Sequence, residues 1–276
     1  MHFDPVMVYK LLLSHVEGVC AEALIKLLRK HSALPLIKIL HDEVFPAKQK
    51  FDLVCAQARL GLVDPKEIVE AAIELCTACR KMMCQITGLD PEFLHCCLKF
   101  YIRNGDGEER VFNFARSRPL DGRCSEDLVF KPISGNTGWC AILGRSDGVR
   151  HWIPVNCFCS NDLPKYRSKY NTYRTRWEDY YSSNLVFPIR FERKVHLTTD
   201  HIGFLEFDSP RKNAFKRMPE IFEHPKTCEY QDKLSKALPY LAGSTIAQCL
   251  ATLLRPYYEE SVISLAGRSK EIDYSV

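Results

Sequence analysis

The chain has 276 residues, the length of one large domain or of a medium α/β domain with a smaller helical unit, and we expect two units. With 46% hydrophobic and 26% charged residues, the composition excludes a disordered or fibrous protein. The formal charge of +4 is spread along the chain, which disfavours a nucleic-acid-binding protein with one basic face.

The cysteines and the amino-terminal residues indicate the compartment. The 13 cysteines are an odd number in a long chain, which favours reduced thiols over a disulfide framework. No basic region of a secretory leader precedes them, and charged residues interrupt the apolar stretch 6–28. Because a membrane-spanning helix needs about 18 uninterrupted apolar residues, we expect a soluble cytoplasmic protein without a membrane partner.

The first 63 residues are expected to form a helical unit. Over residues 5–31, apolar residues recur every three or four positions, which is the pattern of an amphipathic helix. Two shorter helices are predicted over 36–44 and 48–60, with Pro46 between them. We interpret residues 1–63 as a dimerisation or signalling arm.

A clear helix start follows at Asp64-Pro65-Lys66-Glu67. Asp64 can cap the first free amides, proline fits the first helical position, and Glu67 can complete a capping box. Gly88 is the predicted end of this helix. Its expected buried stripe consists of Ile68, Ala71, Ala72, Leu75, Ala78, Cys79, Met82 and Ile86.

The period of the hydrophobic pattern then changes to that of strands. Residues 94–102 and 111–115 read as two strands of an antiparallel hairpin, with turn residues between them. A short helix is predicted over 139–143, capped by Gly135-Asn136-Thr137. Residues 149–155 are predicted to form the next strand.

The remaining elements complete the predicted sheet and close the chain. The polar stretch 163–181 is expected to be helical in its second half, with Tyr173, Trp177 and Tyr180 on one face. Two strands follow at 185–191 and 201–207. Pro188 within the first of them predicts an edge position or a bulge, since proline cannot donate to the ladder.

A final helix is predicted over 227–254 with a break or kink at Pro239. The element order predicts an α/β (α+β) fold: a mostly antiparallel central sheet with helices packed on it, preceded by an all-α segment. In such a domain a ligand pocket forms between the sheet and the connections that cover it.

Three stretches carry motifs of a known family. They are 137–144 followed by 149–155, then Asn161-Asp162-Leu163, and finally 181–190 followed by 202–209. The last pair is the most specific, because it contains S-x-L-x-x-P-I and then G-x-L-x-x-D-S. These motifs resemble those of the GAF family, whose members are small-molecule-sensing domains.

The resemblance covers residues 64–254. It implies a GAF/PAS-like domain over 64–256, with 1–63 as the helical segment and 257–276 as a carboxy-terminal tail. It also accounts for Pro188, since the family tolerates proline at this strand position.

The resemblance and the topology together place candidate ligand-binding residues around the covered face of the sheet: Trp139, Trp152, Asp162, Tyr181, Ser183 and Arg190. For each of these residues the sequence also allows a structural role instead of ligand binding. The tryptophans can be core residues, Asp162 can cap a turn, and Ser183 can cap the strand entry. Arg190 can pair with Glu206 across neighbouring strands. The ligand and any cofactor stay unidentified.

One branch of the family resembles an enzyme, a reductase of free methionine sulfoxide. That chemistry needs an attacking thiolate and a second cysteine that resolves the product. Cys140 would attack here, and Cys157 or Cys159 would resolve. Ala141 replaces the glycine that follows the cysteine in that branch, and the branch's cysteine before the proline strand is absent, so we expect no catalytic residue.

Other ligand and metal patterns are not found. The residue set typical of cyclic-nucleotide-binding GAF domains cannot be placed, and the Cys-His pair that attaches a bilin is absent, with only His95-Cys96 in reverse order. Cys76-x-x-Cys79 lies within a predicted helix, and no second such pair completes a zinc site, so we predict no metal.

The sequence therefore predicts a regulatory protein that binds a small molecule and signals through contacts with a protein partner or in a homodimer. A thiol enzyme and a ligand-free interaction module are the alternatives. Nucleic acid binding by the basic, tyrosine-containing stretch 165–176 is a further, less favoured interpretation, because a solvated helix face explains it equally well.

Overall fold

The computed structural model describes residues 38–103, 108–117, 130–174, 176–193, 198–224 and 227–268. The helices are α1 (Phe45–Arg59), α2 (Pro65–Thr87), α3 (Thr137–Leu143), α4 (Thr227–Leu234) and α5 (Leu238–Arg268). The strands are β1 (His95–Arg103), β2 (Glu109–Arg116), β3 (Lys131–Pro132), β4 (Phe158–Ser160), β5 (Ser183–Arg193) and β6 (Thr198–Ser209). Short 3₁₀ turns connect several of these elements.

The six strands form one sheet in the order β3-β2-β1-β6-β5-β4, and every neighbouring pair is antiparallel. The long strands β5 and β6 are interior strands of the sheet. Register shifts lie between Leu98 and Lys99 in the β1–β2 ladder and between Ile189 and Arg190 in the β5–β6 ladder, so each of these ladders contains a bulge-type irregularity. The predicted fold class, an antiparallel sheet with helices packed on it, is confirmed.

Helix α2 forms as its sequence predicts. The Asp64 carboxylate accepts a hydrogen bond from the Lys66 amide at 2.8 Å, and Glu67 accepts one from the Asp64 amide at 3.2 Å. Gly88 ends the helix with φ +73°, a left-handed conformation that favours glycine. The apolar stripe of α2 packs on β1 and β2.

Helix α5 packs on β5 and β6 and also contacts α2, while α1 packs on α2. Buried residues of α1, among them Phe51 and Cys55, belong to the same hydrophobic core as the sheet. The helices on the two sides of the boundary predicted at 63/64 therefore share one core. The helix predicted over 5–31 lies outside the described residues.

The chain is helical without a break from residue 38 to Arg59, so the separation predicted at Pro46 is wrong. Residues Leu40–Val44 form a π-helical turn, in which the Phe45 amide donates to the carbonyl of Leu40, five residues earlier. Pro46 lies directly after this turn, at the start of α1, where its missing donor is tolerated.

The strand predicted over 149–155 is also wrong. This segment forms a single bridge, between Ser146 and His151. The Asp147 carboxylate accepts hydrogen bonds from the amides of Val149 and Arg150, each at 2.9 Å, which holds the backbone in a turn. The strand in this region is β4, which pairs with β5.

In the stretch 163–181, the longer helical segment lies in the first half, and the predicted second half contains only the three-residue 3₁₀ turn Trp177–Asp179. Residues Leu163–Lys169 form a 3₁₀ helix capped by Asp162. Arg176 has φ +56°, which interrupts any continuous helix in the second half. Trp177 is buried, whereas Tyr173 and Tyr180 are exposed, so the three residues do not share a buried face.

The carboxy-terminal helix is broken as predicted, but just before Leu238, so that Pro239 is the second residue of α5. Helices α4 and α5 are bent by 90°. Helix α5 continues to Arg268, beyond the end predicted at residue 254. Within the described ranges no single helix is long and apolar enough to cross a membrane. The bent pair Cys228–Leu234 and Leu238–Arg255 reaches the necessary length and apolar composition only when the two helices are taken together.

Candidate functional site

A charged cleft lies on the face of the sheet that is turned away from α2. Cys96 of β1 contacts Cys76 and Cys79 of α2. Since successive side chains of a strand point to opposite faces, Lys99 points away from that helix. On the neighbouring strand, Phe204 pairs with Lys99 and Glu206 pairs with Cys97, so both share the face of Lys99. We call this concavity the charged cleft.

Connections between the strands cover the charged cleft. Trp139 of α3, Asn136 directly before this helix, and Tyr170, Thr172, Tyr173 and Arg174 of the later connection line it. The Tyr173 ring packs directly on Gly135, where an added Cβ would lie 1.7 Å from Cζ of that ring. The cavity that remains has a volume of about 60 Å³, which is room for a few waters and well below the few hundred Å³ of a typical ligand pocket.

Charged and aromatic side chains make up most of the lining. Its cations are Lys99, Arg116, Lys131 and Arg174, its carboxylates are Glu206 and Asp208, and its aromatic residues are Trp139, Tyr170, Tyr173 and Tyr181. Asn113 also lines the cleft, and no described residue forms a hydrogen bond with its buried Oδ1 atom.

Glu206 is the centre of a buried network. Its Oε2 atom lies 2.9 Å from Nζ of Lys99, and the two side chains are only 7% and 12% exposed. Its Oε1 atom accepts a hydrogen bond from the indole Nε1 of Trp139. The Trp139 ring stacks on Phe204 at a centroid distance of 6.1 Å, and Lys99 Nζ lies 5.0 Å from the same ring. The carboxylate therefore orients an ammonium and an indole together.

A second buried ion pair lies beside this network. Arg116 Nη1 is 3.8 Å from Asp208 Oδ2, and both side chains are 8% exposed. That distance is within the range of an ion pair but longer than a hydrogen bond.

Two tyrosine hydroxyls complete the polar lining. Burial raises the pKa of both Tyr170 and Tyr181, so both rings keep their proton near neutral pH. Trp177 holds the two rings: it is stacked on Tyr181 at 5.8 Å and meets Tyr170 edge-on at 5.1 Å. The two hydroxyls form a hydrogen bond with each other, and that of Tyr181 also lies 3.3 Å from the Thr172 hydroxyl, so the tyrosines occupy fixed positions in the lining.

The cleft brings together two of the six predicted ligand-binding residues, Trp139 and Tyr181. Trp152 lies elsewhere: its indole donates to Asp147 at 2.9 Å, and its ring carries the Arg150 guanidinium at 3.5 Å from the centroid. The sequence allowed each tryptophan to be either a ligand-binding residue or a core residue. Both are buried in the core, because Trp139 is 3% and Trp152 7% exposed.

Asp162 and Ser183 also lie outside the cleft and serve the local backbone. Asp162 accepts from the Lys165 amide at 3.3 Å and pairs with Lys212 at 3.0 Å, so it caps a turn as the alternative predicted. The Ser183 hydroxyl is buried at the start of β5 and lies 2.8 Å from the carbonyls of both Asn161 and Arg211.

The predicted pair of Arg190 with Glu206 is wrong. Arg190 lies opposite His201 in the β5–β6 ladder, whereas the residue opposite Glu206 is Val186. Four residues of strand separate the two positions, about 13 Å along β5. Arg190 instead donates to the side-chain oxygen of Asn156 at 2.6 Å.

His201 predicts a pH dependence of stability. Burial, together with Arg190 and Arg145, lowers its pKa from 6.5 to about 4, against a smaller opposing effect of Asp200 and Glu109. Between these values the unfolded chain binds a proton that the folded chain does not. Stability is therefore complete above pH 6.5 and falls as the pH drops to 4, by roughly 2–3 kcal/mol from this residue.

Urea unfolding of the wild type and of His201→Phe, measured across this pH range, isolates the contribution of His201. The variant should lose stability less steeply on acidification, and equal slopes for the two proteins would contradict the assignment.

The cysteines of the reductase interpretation are buried and protonated. Cys140 Sγ lies 3.2 Å from the carbonyl of Ile133 and 3.3 Å from that of Ser146. Burial raises the pKa of the Cys140 thiol to about 12, and it raises the pKa of Cys157 and of Cys159 well above the ordinary range. A thiolate is the attacking species in reductase chemistry, so this environment disfavours that reaction.

The residues that sequence reasoning missed are the charged ones: Lys99, Arg116, Lys131, Arg174, Glu206 and Asp208. Their signal was present, because Glu206 and Asp208 alternate with the apolar residues Leu205 and Phe207 at the end of the strand predicted over 201–207. Charges at every second position of such a strand indicate a polar site on one face. In the part of the chain that the structure describes, no group of three or more histidine, cysteine or acidic side chains could hold a metal ion.

No protein-family model and no curated protein matches this chain.

Proposed function

We propose that the chain is a cytoplasmic regulatory protein, in which a GAF-like sensory domain binds a small, polar, anionic molecule in the charged cleft and signals through contacts with a protein partner. The observation that carries this proposal is the burial of charge around the cleft. Lys99, Glu206, Arg116 and Asp208 have side chains that are 7–12% exposed, and all four point to one small cavity.

Buried charge is costly, which supports a functional reason for it. Replacing a buried ion pair by apolar residues of similar size is often neutral or stabilising, so such a pair is a poor device for stability alone. Charged groups gathered in a covered concavity are instead typical of binding sites.

The charge balance supports an anionic ligand. Four cations and two carboxylates line the cleft, so the lining carries an excess of positive charge. The protonated tyrosine hydroxyls add polar hydrogen-bonding groups, and the nearby indole, whose N–H is donated to Glu206, adds flat apolar surface. The Asn113 carbonyl oxygen could in addition accept a hydrogen bond from an N–H or O–H group of the same molecule.

The cavity volume favours a second candidate, a ligand-free interaction module. About 60 Å³ admits only a few atoms while Tyr173 covers Gly135. A ligand of ordinary size would have to displace this ring, which is 38% exposed and lies at the surface.

Native mass spectrometry of the purified protein, before and after mild denaturation, distinguishes the two candidates. A co-purifying small anion, together with a thermal shift on adding inorganic phosphate, nucleotides or amino acids including methionine sulfoxide, would support the sensor. Lys131→Gln, at the margin of the cleft, should reduce that shift. Lys50→Gln, which removes a cation from the surface pair with Glu74 at 2.7 Å, is the matched control. A protein free of ligand that shows no shift with the whole panel would favour the interaction module.

A further inference from the structure

A second, larger concavity lies away from the charged cleft, and we call it the basic groove. The 3₁₀ helix Leu163–Lys169, the turn at residues 213–220 and the end of α4 form its walls. Its volume is about 650 Å³, within the range of pockets that hold sizeable ligands, and it is open to solvent. We define it by Lys165, Tyr166, Lys216, Arg217, Glu223 and Lys233.

Cations from segments remote in sequence converge at this groove. Five cations line it, namely Lys165, Lys216, Arg217, Lys233 and Lys236, against the three carboxylates of Asp162, Glu220 and Glu223. The side chain of Asn161 joins two of these segments, because its Oδ1 accepts from the Phe215 amide at 2.8 Å and its Nδ2 donates to the Phe215 carbonyl at 3.2 Å. The fold therefore concentrates positive charge that is dispersed along the sequence.

The floor of the groove is rigid. Glu220 lies beneath it and accepts hydrogen bonds from the Asn161 amide at 2.7 Å and from the Ser160 hydroxyl at 3.1 Å. Because these contacts hold the turn 213–220 against β4, the groove exists before a partner arrives. A preformed site loses less free energy to ordering when it binds.

Part of the positive charge at the groove is available to a partner. Lys165 pairs with Glu223 at 2.7 Å, and Lys236 pairs with Asp232 at 2.8 Å. Lys216 and Arg217 are both exposed, and among the described residues no acid pairs with either of them. These two adjacent cations can bind carboxylates of another molecule.

The lining favours a peptide over a nucleic acid. The Tyr166 ring is buried and stacked on Phe222 at 4.7 Å, so it offers no face on which a base could stack. Glu223 is 53% exposed within the groove, where it would repel a continuous row of phosphates. A peptide can avoid this repulsion, since its carboxylates are spaced and its backbone amides can donate to Glu223.

We propose that the basic groove binds an acidic segment, rich in aspartate and glutamate, of a protein partner. Lys216 and Arg217 bind its carboxylates, and the preformed walls hold the extended backbone. The proposal does not depend on ligand binding in the charged cleft, because the two concavities have no lining residue in common.

Fluorescence anisotropy with the full chain tests the proposal. The probe is a short fluorescein-labelled peptide of alternating glutamate and glycine, and a peptide of alternating lysine and glycine is the reference. We expect saturable binding of the acidic peptide, weakened by raising the salt above about 0.15 M. The double variant Lys216→Glu/Arg217→Glu should raise the Kd by roughly tenfold or more.

The matched control is Lys38→Glu/Lys66→Glu, which changes the net charge equally at exposed positions outside the groove and should change the Kd by less than about twofold. Equal losses in both double variants would show an effect of overall charge and overturn the proposal. Absence of saturable binding to the wild type, or tighter binding of single-stranded oligothymidine than of the peptide, would overturn it as well. Lys216→Gln/Arg217→Gln, which avoids new acids, repeats the test if the charge-reversed variant does not fold.

Discussion

Gly203→Val is expected to abolish folding, or to destabilise the protein by roughly 4 kcal/mol or more. Gly203 lies in β6 between Phe100 of β1 and Ile189 of β5. A Cβ atom at this position would lie 1.9 Å from the backbone carbonyl oxygen of Lys99. The clash is with the backbone of a central strand, so it cannot be relieved by turning a side chain.

Two other glycines differ from Gly203, because the atoms nearest to them belong to side chains. Added Cβ atoms at Gly135 and Gly243 would meet the rings of Tyr173 and Phe187, which are side chains and not backbone, and the Tyr173 ring lies at the surface. We therefore expect alanine at Gly135 or Gly243 to be tolerated better than alanine at Gly203.

Circular dichroism and urea unfolding of Gly203→Val and Gly203→Ala would measure this effect. Ile202→Val is the control at the neighbouring core position and should cost about 1 kcal/mol. A cooperatively folded Gly203→Val protein with wild-type stability would show that the β1–β6 pairing is not as close as the structure has it.

Glu206→Leu should destabilise the protein by about 3–5 kcal/mol, since it removes one partner of a buried ion pair. The change takes the carboxylate from Lys99, whose side chain is 12% exposed, and also removes the acceptor of the Trp139 indole. A second change, Lys99→Met, should restore at least half of the lost free energy of unfolding, because the buried ammonium is then gone.

Urea unfolding of the two single variants and the double variant forms a double-mutant cycle. Glu74→Leu is the control, since its pair with Lys50 is half exposed, and it should cost less than about 1 kcal/mol. If Glu206→Leu cost no more than this control, or if Lys99→Met brought no recovery, the network at the charged cleft would not be the coupled, desolvated unit described here.

The sequence was sufficient for elements with strong local signals. Helix α2 was predicted because Asp64, Pro65 and Gly88 act on their own neighbours in the chain. Strands β1, β2, β5 and β6 were predicted within a few residues, since alternating apolar residues need no information from elsewhere. The π-helical turn before Pro46 was not predictable, because proline alone ordinarily indicates an end of the helix.

The sequence was not sufficient to predict structure that depends on contacts between residues distant in the chain. Residues 149–155 contain strand-like apolar residues, but the Asp147 carboxylate binds two following amides and holds a turn instead. The charged cleft depends on the register of β1, β2 and β6, and one residue of slip would move Lys99 and Glu206 to opposite faces. For this reason Trp139 and Tyr181 could be predicted near the site and the alternation of Glu206 and Asp208 indicated a polar face, but the pairing of these acids with Lys99 and Arg116 could not be predicted.

The buried cysteines allow local opening of this protein to be measured separately for individual helices and strands. Of the 11 described cysteines, 10 are buried, and they lie in α1, α2, α3, α5, β1 and β4 and beside β4; Cys228 is exposed at the start of α4. A thiol reagent modifies a buried cysteine when the surrounding element opens. Pulsed alkylation followed by mass analysis would therefore report, cysteine by cysteine, the order in which the helices and the sheet open.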